Sequence, residues 1–276
     1  MSHYPYFDVR EKIDLPENWD FAFLSKVPLE KIVPEKLSFT DHLPLPGCFD
    51  SSEKFAGLKG TGCYLAGFRL KKTSCLRLHL GGMGLSCRIF CDGKEIGCSL
   101  LPFTPLYFDF MARAGKHVLL IAINNQCDET RIPQFQLGCD FYAYGGIYYD
   151  LTLQILPEFH FERVKVSVLD LNTGWVGLDV SFGGNLPERA VLSIVFDDSE
   201  AFTENCRIID GHARIEAKIP TPRLWTPETP HLYCVRCEME GDSITERFGL
   251  RTFEVSGRNL LLNGKPLKLL GFNRHE

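Results

Sequence analysis

Apolar and polar residues alternate with a period of two along most of this chain, or gather into short apolar runs, and helical periodicity is scarce. Tyr64–Leu70, Cys75–Leu80, Leu85–Cys91, Val118–Asn124 and Ile147–Ile155 each read as strands, separated by Gly, Pro, Asn and Asp. Asp92-Gly93 sits between Ser86–Cys91 and Lys94-Glu95-Ile96, and Asn263-Gly264 sits between Asn259–Leu262 and an apolar run, Leu267–Phe272. Both dipeptides supply the two positive-φ positions of a tight hairpin turn. Strands at this spacing predict a β-sandwich or jelly roll, and the Pro-rich first ~60 residues, with Trp19, read as strands and loops wrapped on it.

A second strand series begins after Pro157: Phe159–Leu169, Gly177–Phe182, Ala190–Phe196, Ala213–Ile219, Leu232–Met239 and Ser243–Phe248. About a hundred residues with this many strands fit an immunoglobulin-like sandwich. The segment Pro220–Pro230 carries four prolines, which remove ladder donors, so it is no central strand. The expected organisation is all-β, with one sandwich over 1–156, a second over 157–254, and 255–276 opening a third domain. The run Leu267–Phe272 needs cover on both faces, and the chain ends at Glu276, so this sequence is expected to be the front part of a longer protein.

Composition adds mainly exclusions. Hydrophobic residues at 45% and charged residues at 24% suit a globular protein, and a net charge of −5 gives no reason to expect nucleic acid. No apolar run approaches the ~20 residues of a membrane helix, and the first residues lack the basic and apolar regions of a signal peptide. A cytoplasmic location is therefore expected. The 11 cysteines are odd in number and lie mostly in strand-like runs, so they read as small apolar fillers. Cys234 and Cys237 have CxxC spacing, but positions i and i+3 of a strand face opposite ways and cannot chelate one ion.

Several segments, taken in order, resemble glycoside hydrolase family 2, the family of β-galactosidases and β-glucuronidases. They are Gly62–Phe68, Cys91–Gly97, Pro102-Phe103 with Phe108-Asp109, Asp140–Asp150, Leu224–Tyr233, Arg247–Arg251, and Asn263–Pro266 with Gly271–Glu276. The resemblance implies a jelly-roll sugar-binding domain, an immunoglobulin-like sandwich and the first hairpin and strand of a (β/α)8 barrel. Barrel active sites lie at the C-terminal ends of the strands, and a barrel needs about 250 residues. The implied function is the non-catalytic amino-terminal part of a retaining exo-β-galactosidase. The alternatives are a β-glucuronidase of the same family, or an independent carbohydrate-binding or structural module.

Retaining glycosidases use two carboxylates, and the resemblance places both glutamates beyond residue 276. Pairs such as Asp197-Asp198 or Glu238 with Glu240 read as surface carboxylates of a sandwich. The fragment alone is therefore expected to be inactive. Asp140 matches the family aspartate that reaches from the jelly roll to the sugar hydroxyls, and His275 the histidine that contacts the sugar. Arg274 and Asn273 are expected to brace the pocket. No metal ligand or cofactor is expected in this chain; any cation is assigned to the full enzyme's barrel. The partners implied are a β-linked sugar and a second copy of the chain, with no membrane.

Two departures from the family pattern stand out. Ala143 replaces a usual Asn and Tyr149 a usual Arg. The stretch Asp50–Thr61 is short, as in the glucuronidase-like arrangement, whereas the Asn-Arg-His-Glu ending is more galactosidase-like.

Overall fold

The computed structural model describes residues 4–127, 142–197 and 199–273. The chain forms two compact units, one spanning Glu11–Leu156 and the other combining Met1–Arg10 with Pro157–Glu276. In the first unit the strands are β1 (Lys12–Ile13), β2 (Asn18–Ser25), β3 (Asp41–Pro44), β4 (Gly47–Cys48), β5 (Gly60–Leu70) and β6 (Ser74–Leu80). They continue as β7 (Ser86–Cys91), β8 (Lys94–Ser99), β9 (Leu106–Ala112), β10 (Gly115–Asn124), β11 (Gly146–Ile147) and β12 (Leu151–Leu156). In the second unit they are β13 (Phe159–Asp170), β14 (Trp175–Gly184), β15 (Arg189–Phe196), β16 (Phe202–Arg207) and β17 (His212–Lys218). The last are β18 (Tyr233–Met239), β19 (Asp242–Phe248), β20 (Phe253–Ser256), β21 (Asn259–Leu262) and β22 (Lys265–Pro266). Among the described residues the only helical pieces are three 3-10 turns, and no sheet closes into a barrel. The architecture is all-β, built of several sheets packed as sandwiches.

In the first unit a six-stranded antiparallel sheet, β3-β2-β5-β10-β7-β8, packs on a four-stranded one, β1-β12-β6-β9. Leu119, Ile121 and Ile123 of β10 face Leu76, Leu78 and Leu80 of β6 across the core, with Phe21 and Tyr64 beside them. The intervening Leu120 and Ala122 point the other way and are also buried, under Leu29 and Ile32. Those two lie by the 3-10 turns Leu29–Lys31 and Pro34–Lys36, so the sheet is covered on both faces there. That is why β10 reads as an unbroken apolar run instead of an alternation. The expected strand Ile147–Ile155 is split. Tyr148 N donates to Gly82 O at 2.9 Å and Gly81 N to Asp150 O at 2.7 Å, which turns the chain between β11 and β12.

The second unit pairs a three-stranded sheet, β13-β14-β17, with a four-stranded one, β16-β15-β18-β19. Strict alternation in β17 puts Ala213, Ile215 and Ala217 inward and charged residues outward. They join Val176, Leu178, Val180, Leu192, Ile194, Val235 and Cys237 in one core. The arm preceding Glu11 completes this unit. Tyr6 bridges Thr245, and the Arg10 guanidinium, fully covered, grips the Asp242 carboxylate through Nε at 2.9 Å and Nη2 at 2.8 Å. Asp242 Oδ2 also accepts from the Phe161 N–H at 2.8 Å, and the Arg10 guanidinium lies 3.6 Å from the Phe7 ring centroid.

Both expected hairpin turns form, with φ of 50° and 78° at Asp92-Gly93 and 51° and 74° at Asn263-Gly264. The second belongs to a small sheet, β20-β21-β22. The expected strand Leu267–Phe272 is not one in this structure. Pairing stops at Pro266, and Leu269, Leu270 and Phe272 are exposed. Leu267 N still donates to Leu260 O of β21 at 2.8 Å, but among the described residues no strand pairs with those after it, and an unpaired extended segment gains nothing from a strand geometry.

Candidate functional site

The best-organised polar cluster surrounds Asp50 in the first unit. Asp50 lies in the 3-10 turn Phe49–Ser51 that follows β4, and β4 pairs with β11, Cys48 opposite Gly146. Oδ1 of the buried Asp50 accepts from Asn125 Nδ2 at 3.0 Å and Tyr142 Oη at 3.1 Å, while Oδ2 accepts from the Gly145 N–H. Asn125, at the end of β10, accepts from Gly60 N at 3.0 Å and donates to Leu58 O at 3.0 Å. Lys59 donates to Ala143 O at 2.8 Å and sits 3.8 Å from the centroid of the Tyr142 ring. Burial lowers the Lys59 pKa against the opposing pull of the Asp50 charge, and burial followed by that charge raises the pKa of Tyr142.

The paired glycines of this segment are dictated by close approach. A Cβ on Gly145 would lie 2.0 Å from the Phe49 ring, and one on Gly146 2.1 Å from Gly47 O. Phe49 N donates to Gly145 O at 2.8 Å, closing the contact from the other side. Two of the three donors to the Asp50 carboxylate, Tyr142 Oη and the Gly145 N–H, belong to 142–145, and the third is Asn125. Its chemistry is anchoring, since a carboxylate engaged by three donors has little left to act as a base or nucleophile.

Most of the sugar contacts expected from the sequence lie outside what the structure describes. Asp140, Arg274 and His275 lie outside the described residues, and Asn273 is exposed at the end of the described chain. Of the carboxylates set aside from catalysis, Asp197 and Glu238 have structural partners and Glu240 is exposed. Asp197 accepts from Cys234 N at 2.7 Å and Glu238 accepts from Arg236 Nε at 2.8 Å; Asp198 lies outside the described residues. The second unit carries an open cleft of about 610 Å3 lined in part by Tyr4, Arg247 and Arg251. Both arginines are spent on rings, Arg247 over Tyr4 at 4.4 Å and Arg251 over Trp225 at 4.2 Å.

The expectation that this chain holds no metal-binding group is corrected by a second cluster. The donor atoms of Cys91, Asp92 and His117 lie within 4.8 Å of one another. Asp92 and His117 are 25 residues apart in the chain, and only the β7–β10 pairing brings them together. The described cysteines are free thiols, as the filler reading expected. Burial pushes Cys63, Cys87 and Cys237 each up to about 12.

Residues 163–251 match the family model of Glycosyl hydrolases family 2. A putative beta-glucuronidase from Formosa agariphila aligns with 98% of the chain at 25% identity. Over residues 163–251 the chain is similar to glycosyl hydrolases family 2. A beta-galactosidase from Enterobacter cloacae is 29% identical over 78% of this chain. Among solved structures, the Bifidobacterium dentium beta-glucuronidase complexed with coumarin-3-O-glucuronide superposes with a TM-score of 0.78 over 95% of the chain, at 21% identity. The beta-galacturonidase from Eisenbergiella tayi bound to galacturonate gives 0.74 over 95%, at 20% identity. The chain spans 35% of the Formosa relative, 23% of the Enterobacter one, 52% of the Bifidobacterium chain and 47% of the Eisenbergiella chain. Among the described residues no helix is long and apolar enough to cross a membrane.

Proposed function

We propose that this chain is the non-catalytic amino-terminal part of a family 2 exo-glycosidase acting on terminal β-D-glucuronides. In this reading the first unit is the jelly-roll sugar-binding domain, the second the immunoglobulin-like sandwich, and the residues after about 254 open a (β/α)8 barrel. The observation that carries it is the Asp50 cluster. A buried carboxylate pins Tyr142 and Gly145 and is itself held by Asn125, just after β10, so residues 142–145, which come shortly after Asp140, are anchored to the end of that strand. A sugar contact is only as accurate as the elements supporting it. Asp140 is the residue that the family resemblance makes a ligand of sugar hydroxyls, and a carboxylate accepts two strong hydrogen bonds from adjacent hydroxyls. His275, with Arg274 and Asn273, is proposed from the same resemblance as a sugar-contacting group of the complete enzyme.

The choice of a uronide over a galactoside is supported by the relative that aligns with 98% of the chain, a putative beta-glucuronidase, and by the short Asp50–Thr61 stretch. The Enterobacter beta-galactosidase, though slightly more identical, aligns with 78%. Turnover requires two carboxylates about 5–5.5 Å apart across the scissile bond, which the proposal assigns to the barrel. The test is to express the chain together with its downstream coding sequence and compare nitrophenyl β-glucuronide with nitrophenyl β-galactoside. Preferential cleavage of the glucuronide is expected; preference for the galactoside refutes the substrate assignment. Cleavage of either by residues 1–276 alone, with host enzyme excluded, refutes the non-catalytic one. In the extended polypeptide, Asp140→Asn is expected to lower kcat/KM by roughly 10- to 100-fold, the worth of one or two charge-assisted hydrogen bonds.

A further inference from the structure

Cys91 is the last residue of β7, and in the β7–β10 ladder it stands opposite Leu119. His117 is two residues from Leu119 on β10, so its side chain leaves the sheet on the same face as Cys91, one diagonal step away. Asp92 occupies the first position of the hairpin turn, and three bonds fix it there. Its N–H donates to Val118 O at 2.9 Å, its Oδ1 accepts from Val118 N at 2.9 Å, and its Oδ2 faces His117 Nδ1 at 2.7 Å. The imidazole is fixed as firmly. Nε2 lies 2.7 Å from Arg113 O, to which it must donate, and the ring stacks on Phe68 with centroids 5.2 Å apart. The His117 side chain is 10% exposed.

We propose that Cys91 Sγ, Asp92 Oδ2 and His117 Nδ1 form a zinc site that clamps the β7–β8 hairpin to β10, with water in the fourth position. One thiolate, one imidazole and one carboxylate are a donor set that zinc accepts, and the thiolate disfavours magnesium and calcium. The surroundings are those a metal histidine needs. The backbone carbonyl on Nε2 sets the tautomer that leaves Nδ1 to the ion, and the Val118 N–H on Oδ1 leaves Oδ2 to it. Tetrahedral bonds of about 2.0–2.3 Å separate the donors by roughly 3.3–3.6 Å. The three donors already lie within 4.8 Å of one another, near that spacing. Without metal, a proton between Nδ1 and Oδ2 takes the ion's place. On binding, that proton and the Cys91 thiol proton leave to solvent as the Zn–N, Zn–O and Zn–S bonds form; no electron is transferred.

The experiment is a titration of the full 276-residue chain with Co2+, in a non-thiol reductant, followed by displacement with Zn2+. One equivalent is expected to give a thiolate-to-cobalt charge-transfer band with tetrahedral visible bands, and zinc to raise the melting temperature. Nitrogen-15 NMR should show His117 Nδ1 passing from protonated to metal-bound. Cys98→Ser with Cys127→Ser, which remove exposed thiols outside the cluster, should leave the band intact. Cys91→Ser and His117→Gln should abolish it. Should either variant fail to fold, Asp92→Asn, at an exposed turn, is expected to weaken zinc by tenfold or more. A folded wild-type chain without the band, or a band that survives Cys91→Ser, overturns the site and leaves an ordinary His–Asp ion pair only.

Discussion

Asp50 illustrates how much one side chain can organise when it is buried and fully bonded. Removing it leaves Asn125, Tyr142 and the Gly145 N–H without their shared acceptor. Asp50→Ala is therefore expected to cost about 2–4 kcal/mol in urea unfolding, more than the single bond an exposed turn aspartate makes. Asp242 is a harsher case because its loss strands a covered guanidinium. Asp242→Ala is expected to cost about 3–5 kcal/mol, whereas Arg10→Met with Asp242→Leu should recover much of that, since the pair removed together leaves no lone charge. Asp8 gives a pH signature. Burial raises its pKa, but hydrogen bonds from Ser243 and Arg236, with the Arg236 charge, outweigh that and hold it below the usual range. A lowered folded pKa stabilises above the unfolded value of about 3.9 and stops doing so as pH falls through the folded value. Asp8→Asn is expected to cost about 1 kcal/mol at neutral pH, with the two chains converging as the pH falls through the lowered folded value.

At the scale of elements, what was legible in the sequence was local. The two Asx-Gly hairpins could be read because the turn needs those residue types at adjacent positions, and the alternation of β17 could be read because one of its faces meets solvent. What could not be read required knowing which strands meet. The continuous burial of β10 depends on turns some ninety residues earlier in the chain. The Cys91, Asp92 and His117 cluster depends on the β7–β10 register, and Asp50 finds Gly145 across 95 residues. The glycine pair of the 142–150 segment was visible as part of a motif, but its reason, the Phe49 ring beneath Gly145, was not. Gly145→Ala is expected to cost at least about 1–3 kcal/mol by overpacking. Gly67→Ala, where the nearest atom to a new Cβ is 3.7 Å away, should change stability by less than about 0.5 kcal/mol. Chemical denaturation of both variants checks the contrast.

For the whole molecule, the informative division is that Met1–Arg10 belongs with Pro157–Glu276 and not with the residues that follow it directly. The Arg10–Asp242 pair spans 232 residues, and nothing in the composition of the first ten announces it. Deleting residues 1–10 is expected to speed amide exchange in β13 and β19, which surround Asp242, while leaving the exchange of β5 and β10 unchanged. Equal acceleration in both units would contradict the division.

That arm also sets an order of events during synthesis. The segment around Arg10 is secured by Asp242, made 232 residues later, so it must stay unengaged while that stretch is polymerised. Trimming of that arm by a protease in the interval would strike the later-made sandwich before touching the arm's immediate sequence neighbours.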